Sequence, residues 1–188
     1  SEVMPEQHSY IENEFLTLQS YVNSPSNSSI TEGYPSIIDI PSFIDFMILN
    51  EISSNADGYE FSTFFHKDRN DKLRAGPIWD FNLTFGNDLF QWGYDRSHTD
   101  VWQFYDQGNM GPKFWKDLFD DSLFNCYLSM RWQELSATGM PLNEEEIFEL
   151  IDSIEVLILE AVERQEIVSG TTGVFAQNIV EMKAFISE

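Results

Sequence analysis

The chain has 188 residues, 42% of them apolar and 15% aromatic, including 16 Phe, 5 Trp and 7 Tyr; this is ample for a packed core and rules out the composition of a disordered chain. Ten Lys and Arg stand against 32 Asp and Glu, a net charge of −22, which argues against unaided binding to nucleic acid or to an anionic membrane surface. A nucleotide would need divalent cations or basic groups brought from elsewhere.

Gln7 to Val22 places Ile11, Phe15, Leu18 and Val22 at helical spacing, which predicts an amphipathic helix with that face inward. Asn23 to Ser29 is a Ser/Asn/Pro loop. From Asp39, a capping residue followed by Pro41, a buried helix is predicted over about residues 40–53, with Phe43, Phe46, Met47 and Asn50 on one face. The period then changes. Tyr59 to Lys67 and Lys72 to Trp79 read as two strands joined by the turn Asp68-Arg69-Asn70-Asp71, a β-hairpin. Phe85 to Gly111 is irregular and aromatic-rich, a segment type that is often functional.

The remainder reads as helical. Phe114, Trp115, Leu118 and Phe119 form a short apolar face, and Leu123, Phe124, Tyr127, Leu128, Arg131, Trp132 and Leu135 a longer one, stopped by Gly139 and Pro141. Asn143 starts a helix to about Gln165 whose apolar face is Ile147, Leu150, Ile151, Ile154, Leu157, Ile158 and Ala161. Its outer face holds nine acids and one Arg between Asn143 and Glu166. A last helix runs from about Val174 to Ile186. No repeat or linker divides the chain, so residues 1–188 read as one unit. No signal-peptide pattern or 18-residue apolar run is present, so no direct membrane insertion is expected, although a chain that opens on Ser1 leaves its leader undefined.

Chemistry concentrates at the hairpin mouth. With the turn near Arg69 and Asn70, paired residues sum to about 139, so Asp57 falls opposite Asn82 with Asp80 one step away, and Asn55 reaches the same mouth. Carboxylates and amides grouped this way suit a hard cation with oxygen ligands, and an acidic pair can divide into metal ligand and catalytic base. Other motifs fail on their own terms. His66 and His98 lack zinc-ligand spacing, the segment from Asp68 has Leu73 and Trp79 where a calcium loop needs Gly and Glu, and Cys126, the only cysteine, sits between core positions of a helix and reads as packed. No phosphate-binding Gly-rich loop or Walker lysine is present.

The run Ile40 to Asp57, Lys67-Asp68, and Gly76-Pro-Ile-Trp-Asp-Phe-Asn-Leu-Thr-Phe-Gly-Asn87 closely resembles the spore-coat protein H (CotH) kinase-like family. A looser match continues through Phe114-Trp115, Arg131 to Leu135 and the acidic helix. The resemblance implies the C-terminal lobe of an atypical protein-kinase-like fold, α+β and predominantly helical, with the hairpin beside the site. It implies catalysis by Asp57, Mg²⁺ (or Mn²⁺) held by Asp80 with Asn82, and ATP contacts from Asn55 and Trp79, acting on Ser/Thr side chains of a protein substrate. The order helix, Asp loop, strand pair, Asp-Phe is that of the protein-kinase catalytic core. Asn82 replaces the family's second Asp and removes one negative ligand. The N-terminal lobe with its phosphate-contacting lysine is expected in a longer parent protein, and this chain alone is expected to be nearly inactive. The family also implies an extracellular, cell-surface or spore-coat location. The competing reading is a surface or coat scaffold on a degenerate kinase-like fold, binding through Trp92, Tyr94, Trp102, Phe104 and Tyr105.

Overall fold

A computed structural model describes residues 3–87, 99–105 and 110–188. Its six helices in chain order are α1 (Pro5–Val22), α2 (Ile40–Ile52), α3 (Phe114–Asp120), α4 (Ser122–Ser136), α5 (Glu144–Ser169) and α6 (Val174–Ile186). Two strands, β1 (Phe65–His66) and β2 (Arg74–Ala75), form the antiparallel sheet among the described residues. The chain is therefore mostly helical with a small sheet.

Local chemistry explains the boundaries. Asp39 caps α2 by accepting from the Ser42 N–H at 3.0 Å, and Pro41 sits in the first turn, where a missing N–H costs nothing. Asn143 caps α5 through the Glu145 N–H. The α5 helix runs past the expected Gln165 and ends at Gly170, whose φ of +72° a side chain would resist. Asp121 ends α3 and starts α4. Its carboxylate accepts from the Leu123 and Phe124 N–H groups at 3.1 and 3.0 Å, from the Tyr34 hydroxyl at 2.9 Å and from the Asn27 amide at 2.8 Å. It thereby pins the 23–36 loop to the helical layer, and burial, reinforced by this carboxylate, keeps the Tyr34 hydroxyl protonated well above its usual range. Asp121→Ala, which strips a cap and two side-chain partners, is expected to lower stability by roughly 2 kcal/mol in urea unfolding.

The core is aromatic. Trp115 of α3 lies between Phe43 (5.1 Å between ring centroids), Phe46 (5.2 Å) and Tyr59 (5.2 Å), with Leu18, Met47, Leu118 and Phe124 buried around them. The anticipated α2 face of Phe43, Phe46, Met47 and Asn50 is buried throughout. The Arg131 guanidinium bonds Asp45 at 2.9 Å and ties α4 to α2.

Several expectations need correction. The predicted long strands shrink to two residues each, paired Phe65 with Ala75 and His66 with Arg74. Tyr59 stands at φ +70° because its ring is a core element, and the Asp57 carbonyl accepts from the Phe61 and Ser62 N–H groups, so residues 57–62 coil as a turn. On the other arm, Gly76 at φ +111° and Pro77, which lacks an N–H, end the pairing. Cys126 is exposed, not packed, and Ile11, Leu123 and Tyr127 of the predicted inward faces are exposed as well. No residue of α5 is buried. The irregular segment contains one described turn of 3₁₀ helix, Gln103–Tyr105, while Trp92, Tyr94 and His98 lie outside the described residues.

Candidate functional site

The site begins with a polar residue on an apolar helix face. Asn50 has no exposed surface; its amide donates to the Phe46 carbonyl at 2.8 Å and its oxygen accepts from the Asn55 amide at 2.9 Å. Asn55, equally buried, accepts the Asp57 N–H on its own oxygen at 3.3 Å. Backbone bonds from Asn55 N–H to Asn50 carbonyl and from Gly58 N–H to Asn55 carbonyl, both 2.9 Å, complete a knot over residues 50–58. Gly58 is the one residue type that fits there, since a Cβ would stand 2.6 Å from Asn50 Oδ1 and 3.0 Å from the Asn55 carbonyl. Half-buried Asp57 emerges from this knot.

A second loop runs alongside. The Ala56 N–H donates to the Leu83 carbonyl at 3.2 Å and the Phe85 N–H to the Ser53 carbonyl at 2.7 Å. The ladder of β1 and β2 pairs residues that sum to 140, one step from the expected 139, and it lapses before the arms meet again here. Asp57 and Asn82 are the next residues along from the Ala56–Leu83 bond, one on each arm.

Within the second loop, Asp80 is exposed and takes the left-handed backbone at φ +60°, a conformation costing an ordinary residue on the order of 1 kcal/mol. One heavy atom of the Asn82 amide stands 2.7 Å from Asp80 Oδ1 and 3.2 Å from the Asp80 carbonyl. Both neighbours are acceptors, so that atom is the nitrogen, and the Asn82 amide donates to the Asp80 carboxylate and to the Asp80 carbonyl. The loop is braced by bonds from the Thr84 hydroxyl to the Phe81 carbonyl (2.7 Å) and from the Asn87 amide to the Asn82 carbonyl (2.6 Å). No group of three or more His, Cys, Asp or Glu that could hold a metal occurs among the described residues.

The remaining predicted residues divide. Trp79 is 60% exposed and meets Phe64 edge to face at 6.2 Å, so its indole is open to a ligand beside Asp80. Asn55 spends its amide inside the knot, where it orders the Asp57 loop. His66 is bonded through Nδ1 to the Gly76 carbonyl at 3.1 Å. Sequence reasoning placed Asn50 on the buried α2 face without giving it a role, although a polar member of an apolar face has to find a partner. Glu51, beside it, carried no such signal. The Tyr59 hydroxyl donates to Glu51 Oε1 at 2.6 Å and the Gln103 N–H to Oε2 at 2.7 Å. Burial pushes this carboxyl up to about 7, against the pull of its donors. Glu51 also borders a cavity of about 720 Å³ lined by Trp102, Phe104, Phe119, Trp132 and Phe185, to which Asp57, Asp80 and Asn82 do not contribute.

A scan against models of known families matches the CotH kinase protein family over residues 2–188. Searches of curated proteins and of solved structures gave no match.

Proposed function

The chain belongs to the CotH kinase protein family, and from that membership and the two loops we propose that it carries the metal-binding half of a phosphotransferase site, as the C-terminal lobe of a kinase-like domain. Asp80, with the Asn82 amide, holds Mg²⁺ or Mn²⁺, and the cation supplies charge neutralisation for ATP phosphates that a chain of net charge −22 would otherwise repel. Asp57 accepts the proton of a Ser or Thr hydroxyl on a protein substrate, held in place by the Asn50–Asn55 knot. Trp79 offers a face for the nucleotide base. The opposing lobe, with its phosphate-contacting lysine, is supplied from outside residues 1–188, and the protein works at a spore coat or cell surface. No helix among the described residues is long and apolar enough to cross a membrane.

The observation that carries this reading is the exposed Asp80 carboxylate, oriented by the donating Asn82 amide, on a loop whose backbone is bonded to that of Asp57. Calorimetric titration with Mg²⁺ or Mn²⁺ and ATP tests it. Asp80→Ala is expected to weaken metal-dependent nucleotide binding by at least about tenfold, the loss of one charged ligand, while Asp57→Ala keeps binding and loses transfer in the intact parent. Identical binding by the wild type and Asp80→Ala would leave the scaffold reading standing, which the exposed aromatic rings of Phe61, Phe64 and Trp79 favour.

A further inference from the structure

The α5 helix has two apolar faces, and α6 covers one of them. The helices run antiparallel: Glu166 accepts from the Gly173 and Phe175 N–H groups at 3.0 and 3.1 Å, Lys183 bonds Asp152, and the Ser187 hydroxyl donates to Glu144 at 2.5 Å. Ile147, Ile151, Ile158 and Val162 are half-buried on the covered side. Leu150, Ile154, Leu157 and Val168 lie on a different face and are 60%, 45%, 81% and 83% exposed. Together with Ala161 and Arg164, both exposed, they recur at alternating spacings of four and three residues from 150 to 168, the seam spacing of a two-helix coiled coil. Leaving a Leu in water forgoes about 1.5–3 kcal/mol, so this stripe, although Arg164 interrupts it and Val156, Leu159 and Ile167 are exposed on other sides of the helix, differs from the scattered apolar residues of an ordinary surface.

Charge selects the occupant. The edge of the stripe away from α6 carries Glu146, Glu149 and Glu160, and the whole helix has Arg164 as its one basic residue against nine acids. A second copy would bring the same acids to the same edge on a chain already at −22, and like charges across a seam oppose pairing. We propose that the bare face of α5 is a docking surface for an amphipathic helix of another protein whose apolar stripe is flanked by Lys or Arg. Apolar burial supplies most of the affinity and the charges set partner choice, approach rate and salt dependence.

The experiment uses the full chain with a fluorescent three-heptad peptide bearing Leu at the seam and Lys at its edges. A scrambled peptide of equal composition and a Glu-for-Lys peptide serve as controls, all read by anisotropy at physiological salt, about 0.15 M. The Leu/Lys helix is expected to bind at least about tenfold more tightly than either control. The double variant Ile154→Ser, Leu157→Ser, whose positions are solvent-facing and whose helicity circular dichroism checks, is expected to erase that preference. Equal binding of the scrambled peptide, or unchanged binding by the double variant, overturns the proposal. So does sedimentation showing a micromolar dimer that the same variant dissociates, because the occupant is then a second copy.

Discussion

Asn50→Ala is expected to cost roughly 2–4 kcal/mol in urea unfolding, a large effect for a change of one small polar side chain. The variant leaves the Asn55 amide donor without its Asn50 partner inside a site that no water reaches, because both asparagines are fully buried, whereas the Phe46 carbonyl keeps the helical N–H of residue 50. A buried group stripped of its partner carries its full desolvation penalty, and the cavity adds to it. The consequence reaches past stability. Asn55 fixes the Asp57 N–H, and Gly58 packs directly against Asn50 Oδ1, so amide hydrogen exchange over residues 53–58 is expected to accelerate more than that of the α3 core. A loss below about 1 kcal/mol, with unchanged exchange at 53–58, would show that the knot does not hold the loop.

Helix positions were legible because each rests on a short-range device: Asp39 and Pro41 start α2, Asn143 starts α5, and apolar spacing marks the α2 face. That the two arms meet again near Ala56 and Leu83 was legible in outline, since a turn of local chemistry folds them together, but the ladder pairs residues summing to 140 where 139 was expected, so the register itself was one step off. What lay between was not. Strand-forming residues 59–64 and 76–79 are taken from the ladder by tertiary demands, Tyr59 entering the core and Gly76-Pro77 turning outward, and propensity yields to packing in such cases. Periodicity showed that α5 is amphipathic without showing how much of its face finds a partner, because a wide stripe reads the same whether one helix covers half of it or two cover all of it. Cys126 was misplaced for the same reason: a position between apolar neighbours on a helix can point outward. Membership of the family fixes the kind of protein.

The stability of the wild type relative to Glu51→Gln is expected to fall as pH rises from about 5 to 8, by up to about 3 kcal/mol. Burial raises the folded-state carboxyl from 4.5 to about 7. Between those values the folded chain holds a proton that the unfolded chain has released, so the unfolded state binds fewer protons and stability declines with pH. Below about 4.5 both states are protonated and the term vanishes; above about 7 both are ionised and its full cost is present. Glutamine does not titrate, and subtracting its curve removes the pH dependence that the other acids of this chain contribute. Chemical denaturation of both proteins at half-unit pH steps measures the difference. A difference flat across this range would mean that the Tyr59 and Gln103 donors keep the carboxylate ionised throughout.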